Sequence, residues 1–268
     1  GAFKFRGACN AVWSLDADRA SAGVVTHSSG NHGAALALAA RTRGIPCHVV
    51  VPEGAVAAKL ANIARHGATL WRCPPTIADR EATCAKVQAD TGATLVHPYA
   101  DPAVMAGQGT AALELLHSDG PFDVLVVPVG GGGLASGTAR ALQLASPQTR
   151  LVLAEPAGAD DTARSLAAGE RQAAFTPDTI CDGLRTLIGA SNFELLRAAS
   201  AEVIVVDDAA TMAAMRLLWE VLKQVVEPSS ATVLAAVLAQ PQRFAGLRVG
   251  LVLSGGNVDL PALRWGAP

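Results

Sequence analysis

No apolar run in the 268 residues approaches the roughly 20 that span a bilayer, so no membrane partner is expected. Charge is scarce as well. Charged residues make up 16% of the chain, the formal net charge is −2 and no basic tract occurs, which speaks against nucleic acid as a partner. The five cysteines are odd in number, scattered and never spaced C-x-x-C. That pattern excludes a disulfide framework and a cysteine zinc site, and predicts reduced thiols buried as small core residues in a cytoplasmic protein. There is no internal repeat, low-complexity stretch or proline-rich linker.

What remains is apolar. Hydrophobic residues reach 50% and alanine is abundant, which favours packed helices around a large core. The length is generous for one domain and short for two full ones, and suits two lobes sharing a cleft. Short β-branched runs alternate with helical patterns. The predicted strands are 23–27, 47–51, 69–73, 94–98, 124–129, 150–155, 203–208 and 248–254. Helical spacing covers 33–43, 57–66, 77–91 and 211–225. Several strands are continuously apolar, as in sheets buried on both faces, and strand–helix alternation implies parallel sheets with right-handed crossovers. The fold class is therefore α/β, with two lobes, each a mostly parallel sheet flanked by helices. The punctuation "HPYADP" near Tyr99–Pro102 marks the lobe boundary, giving 23–100 as a small domain and 1–22 with 101–268 as a large one.

Ligands of such folds collect beyond the carboxyl ends of strands. Four motifs stand there. "SSGNHG" (Ser28, Ser29, Gly30, Asn31, His32, Gly33) puts small and polar residues at a helix N-terminus, where free N–H groups suit a carboxylate or phosphate. A serine N-cap would account for one of these residues but not the run, and His27 with His32 flank a turn instead of sharing a helix face, so they make a poor metal pair. "GGGGLASG" begins with Gly130, Gly131, Gly132 and Gly133. Four glycines weaken any regular element and make sense where backbone must approach a phosphate. No GK[ST] follows, which excludes a nucleotide P-loop, but Gly130, Gly132 and Ala135 also fit G-x-G-x-x-A, with Glu155 twenty positions on as a ribose-binding acid. An NAD(P)-binding oxidoreductase thus stays open on this pattern. "EPAGADD" offers Glu155 and Asp161 with backbone carbonyls between them, either a hard-cation site or a solvated acidic loop in which Asp160 or Asp161 caps the next helix. "SGGNVD" would present the Ser254 hydroxyl, with Gly255 and Gly256 leaving room for something flat.

A fifth stretch, "GAFKFRGA", opens the chain and sets Lys4 between Phe3 and Phe5, a costly place for a bare ammonium. Phe5, Cys9 and Val12 recur at helical spacing, so Lys4 stands at a helix start. One ligand with a phosphate, a flat heteroaromatic ring and an aldehyde for a lysine would unite the five motifs.

Taken in order along the whole chain, these motifs resemble the fold type II, tryptophan-synthase-β-like pyridoxal phosphate enzymes, and within them the serine racemase and serine/threonine dehydratase group. The resemblance implies pyridoxal 5′-phosphate as cofactor. It carries over Lys4 as the Schiff-base lysine, Phe3 as packing beside the ring, Asn31 near the ring hydroxyl, Gly130–Gly133 as the phosphate loop and Ser254 as partner of the ring nitrogen. Gly183, in "DGLRT", carries over as a backbone neighbour of the cofactor. Ser28, Ser29, Asn31 and His32 carry over as the loop for the substrate carboxylate, with Thr186 and Arg80 on the substrate side. The group also implies a divalent cation (Mg²⁺, Ca²⁺ or Mn²⁺) on Glu155, the Ala159 carbonyl and Asp161, which would take the acid away from the dinucleotide reading.

The implied reaction is β-elimination from L-threonine or L-serine, giving a 2-oxo acid and ammonia, with Lys4 taking the Cα proton. A serine at position 29 resembles the opposite-face acid/base of the racemases, so serine racemisation is expected beside elimination. Arg80 admits 3-hydroxyaspartate as a third substrate through its second carboxylate. A homodimer is the implied assembly. The resembling family carries a few dozen residues ahead of the lysine motif, so an N-terminally incomplete sequence is expected.

Overall fold

A computed structural model describes residues 1–55 and 57–260. The chain divides into two compact units. One is Ala2–Gln108; the other is Gly1 with the chain from Gly109 onward.

The first unit begins with α1 (Lys4–Trp13) and α2 (Ala17–Ala22), then alternates β1 (Val24–Thr26), α3 (Asn31–Arg43), β2 (Cys47–Pro52), α4 (Ala57–Ala64), β3 (Thr69–Cys73), α5 (Ile77–Thr91) and β4 (Thr94–Leu95). Its strands form a parallel sheet in the order β3-β2-β1-β4. Local chemistry sets the helix limits. Asp16 accepts from the Arg19 N–H at 2.8 Å to start α2, and Thr76 accepts from the Asp79 N–H at 3.1 Å to start α5. The core joins Ala8, Ala11 and Val12 of α1 to Leu36, Ala39 and Ala40 of α3 and to Val24, Val49 and Val51. Alanines on both helices let them approach closely. This packing sets α1 with the first sheet, whereas the sequence grouping put residues 1–22 with the second.

The division falls within α6 (Pro102–Asp119). The second unit continues with β5 (Val124–Pro128), α7 (Gly133–Ala145), β6 (Arg150–Pro156), α8 (Asp161–Ala168), α9 (Ala190–Ala198), β7 (Glu202–Val206), α10 (Asp208–Leu222), α11 (Pro228–Ala239), α12 (Pro241–Phe244) and β8 (Val249–Leu251). Its sheet is also parallel, in the order β7-β6-β5-β8. Every residue of β5 is buried, which explains its unbroken apolar run. Ala231, Val233, Ala235 and Ala236 of α11 pack in one core with Val124, Val126, Val152 and Ala154. Burying each valine there contributes roughly 1.5–3 kcal/mol.

Each of the eight predicted strands is a strand in the structure, some shortened, as 94–98 is to Thr94–Leu95, and others extended, as 150–155 is to Arg150–Pro156. Among the described residues no helix is long and apolar enough to cross a membrane. All five thiols are free; Cys47, Cys73, Cys84 and Cys181 are buried and Cys9 is half-buried. Burial pushes the thiols up, to about 12 for Cys47 and Cys181 and about 11 for Cys84.

Candidate active site

In the first unit, Lys4 occupies the first position of α1. Its Nζ donates to the Pro98 carbonyl at 2.7 Å and lies 5.1 Å from the centre of the Phe3 ring. Carbonyl and ring face together offset the cost of a half-buried amine. Three imidazoles share this neighbourhood. The parallel pairing of β1 with β4 matches Val25 to Leu95, so His27 and His97 follow two residues later on adjacent strand ends, with ring centres 5.3 Å apart. His97 Nδ1 accepts from the Ala100 N–H at 3.1 Å, and its ring meets Tyr99 edge-on at 4.6 Å. Burial, then the charges of His27 and Lys4, pull His97 down to about 4.

His32 is 1% exposed, and its Nε2 lies 3.1 Å from the Val96 carbonyl. Burial, then the charge of Lys4, pulls it down to about 3. The His32 ring therefore faces the interior and braces the loop; what this position can offer a substrate is backbone. The same loop leaves Ser28, Ser29, Gly30 and Asn31 half-buried at the start of the 13-residue α3, whose N-terminus has no side-chain cap. Uncapped N–H groups at the positive end of a helix suit a carboxylate. Arg80, in the first turn of α5, is half-buried, its Nε has no hydrogen-bond partner, and its charge acts on His27.

In the second unit, Gly130–Gly133 are all buried and lead directly into α7. Gly132 has φ +92°, and a Cβ there would lie 2.5 Å from Ile188 Cδ1 and 2.7 Å from Asn192 Cβ. Gly183 donates its N–H to Ser229 Oγ at 3.0 Å, Thr186 is exposed two residues beyond Leu184, and Ser254 is 4% exposed just past β8.

Within the acidic loop Glu155, Ala159 and Asp161 are buried, Ala157 is exposed and Asp160 is half-buried, and neither Asp160 nor Asp161 caps α8 with its side chain. Glu155 does so, its two oxygens accepting from the Thr162 N–H at 2.9 Å and the Ala163 N–H at 2.8 Å. Those bonds also remove the acid that a ribose-binding reading required. Asp161 Oδ2 accepts from the Ile188 N–H at 2.8 Å, while its Oδ1 is buried with no partner. Burial pushes Glu155 up to about 8 and Asp161 up to about 6, and the Asp161 charge adds to the Glu155 shift. An unsatisfied carboxylate oxygen beside a second buried carboxylate fits a hard cation, which would relieve both. Among the described residues there is no cluster of three or more His, Cys, Asp or Glu side chains able to hold a metal.

Sequence reasoning missed His97, Tyr99 and Pro98, which it used only as punctuation. The available signal was the pair of histidines ending two predicted strands, legible only once β1 and β4 are known to be neighbours.

Residues 1–255 match the family model described as pyridoxal-phosphate dependent enzyme. The chain belongs to that family. Within it, a β-hydroxyaspartate dehydratase of Paracoccus denitrificans is 48% identical over 265 residues, covering 99% of this chain and 84% of its own. A serine racemase of Arabidopsis thaliana is 47% identical over 268 residues, covering 98% and 81%. The solved structure of maize serine racemase superposes with a TM-score of 0.94 at 45% identity, covering 97% of this chain and 81% of that one. The fold is that of the fold type II members, and the protein is a pyridoxal phosphate enzyme of the serine racemase and dehydratase group. The residues present fit the family's cofactor: a lysine amine held at a helix start, and a buried run of glycines whose backbone, bare of side chains, leads into a helix N-terminus.

Proposed function

We propose that the protein catalyses β-elimination of hydroxy amino acids, converting L-threonine or L-serine to a 2-oxo acid and ammonia, with serine racemisation beside it. The observation that carries this reading is Lys4 held against Pro98 among neutral imidazoles, in a chain of this family. Pyridoxal phosphate, when bound, supplies the electron sink that acidifies the substrate Cα–H. Lys4 anchors the cofactor and then takes the Cα proton from one face. Ser29 serves the opposite face, which is what racemisation requires. The N–H groups of Ser28, Ser29, Asn31 and His32 hold the substrate carboxylate. Gly130, Gly131, Gly132 and Gly133 would hold the cofactor phosphate, Ser254 would bond the ring nitrogen, Phe3 would pack beside the ring, Gly183 would neighbour the cofactor through its backbone, and Thr186 would border the substrate. Asn31 lies by the ring hydroxyl. A divalent cation on Glu155, the Ala159 carbonyl and Asp161 has a supporting role away from the chemistry. The setting we propose is a cytoplasmic homodimer.

A second substrate reading has its own support. Arg80 carries a buried, unpartnered Nε beside His27, and the relative from Paracoccus denitrificans is a β-hydroxyaspartate dehydratase. A guanidinium so placed would bind a second carboxylate, making 3-hydroxyaspartate a substrate.

The test is borohydride reduction of the protein loaded with pyridoxal phosphate, followed by peptide mapping, together with product analysis on L-serine, L-threonine and threo-3-hydroxyaspartate. The expected result is a reduced adduct on Lys4 and release of a 2-oxo acid. No adduct on Lys4 would overturn the reading.

A further inference from the structure

A cavity of about 500 Å³ opens in the second unit, where α7 and α9 end and β6 and β7 begin. It lies along the C-terminal half of α7, beginning at Ala139, about 9 Å of helix rise beyond Gly133. The cavity is therefore not part of the site described above.

Its lining combines an apolar body with surplus positive charge. Leu142, Leu151 and Leu195 supply the apolar wall. The charged groups lining it are Arg140, Arg150 and Glu202. Glu202 is already shared: Arg150 lies 3.8 Å from one of its oxygens, and Arg243 pairs with the other. Arg243, which does not line the cavity, takes up the second Glu202 oxygen, so the Arg140 and Arg150 guanidiniums remain as the positive groups of the lining. The C-termini of α7 and α9 oppose them with roughly half a negative charge each, an influence that fades within a turn. Arg140 is braced along α7 by its 2.6 Å bond to Gln143 Oε1, which orders the guanidinium at the edge of the cavity. The volume falls within the roughly 300–1,000 Å³ typical of small-molecule sites and far exceeds the needs of a bare inorganic ion.

We propose that this cavity binds a small organic monoanion, an aliphatic or aryl carboxylate whose charge meets Arg140 and Arg150 and whose apolar body lies against Leu142, Leu151 and Leu195. The ligand class follows from the lining: without the arginines any apolar molecule would serve, and without the leucines any anion.

Calorimetric titration of the holoenzyme with 4-phenylbutyrate tests it, because that probe has no amine to react with the cofactor. Saturable binding to the wild-type protein is expected, with the neutral 4-phenylbutanol about tenfold weaker, as for one lost charge-assisted contact. The Arg140→Ala, Arg150→Ala double variant should lose at least about tenfold in affinity for the acid and little for the alcohol. Ala198→Trp, which fills the cavity, should lose both. The cofactor adduct on Lys4 and the elimination rate measured without the probe should be unchanged in these variants, which separates this proposal from the one above. No saturable binding to wild type, equal affinity for acid and alcohol, or undiminished binding to the double variant would overturn it.

Discussion

Replacing Gly132 by alanine isolates what the glycine turn is for. The substitution has two costs. At φ +92° an L-residue is strained, by roughly 1–2 kcal/mol. Its Cβ would also lie 2.5 Å from Ile188 Cδ1 and 2.7 Å from Asn192 Cβ, both buried side chains. Forcing a methyl into such packing costs about 1–3 kcal/mol more. The expected total is about 2–5 kcal/mol. Gly169 provides the internal control: it has φ +71°, and a Cβ there meets nothing within 4 Å. Gly169→Ala should therefore show the backbone cost alone, about 1–2 kcal/mol. Urea unfolding followed by tryptophan fluorescence measures both, with Trp219 reporting from the same unit. Cofactor content after gel filtration supplies a second readout, expected to fall for Gly132→Ala and to hold for Gly169→Ala. Equal destabilisation by the two substitutions would refute the reasoning, because it would mean that the space beside Gly132 is not filled.

Ser29→Ala should suppress serine racemisation, measured by chiral chromatography, while 2-oxo acid release continues; unchanged racemisation would remove Ser29 from the reaction. Arg80→Ala should cut kcat/KM for threo-3-hydroxyaspartate about 10–100-fold, the range of one charged contact, and leave L-serine within a few-fold; equal losses on both would point to a structural role. His32 is neutral when folded, at about 3, but takes up a proton near 6.5 when unfolded, so the unfolded chain binds more protons at acid pH. Stability should thus fall as pH drops below 6.5, by about 1.4 kcal/mol per pH unit for this group, and His32→Gln should show a shallower decline in denaturation midpoint. A chelator should lower the thermal midpoint of wild type and leave that of Glu155→Gln unmoved; identical shifts in the two would argue against a cation on Glu155.

Much of this was legible in the sequence because its signals are local. The strands read directly, since β5 is buried throughout and so carries no polar residue. The helix start at Lys4 and the full extent of α5 followed from helical spacing. The acidic loop was harder. Spacing cannot reveal that Glu155, six residues before Asp161, reaches the N-terminus of α8, because the cap comes from a strand end and not from the loop. The contact of the His32 side chain was out of reach for a related reason: its partner is Val96, just past β4 and 64 residues along the chain, and no local pattern records it. The place of α1 depended on matched alanine faces on α1 and α3, which look like any other helix-rich composition until they are paired.

The burial of the thiols has a practical side. Four of the five are shut away, three of them held so far from ionisation that an alkylating reagent meets almost no thiolate. That leaves Cys9, five residues along α1 from Lys4, as the most accessible of the five, although burial raises its pKa as well. Of the five thiols described, a maleimide dye should therefore react first at Cys9, on the helix that begins with Lys4.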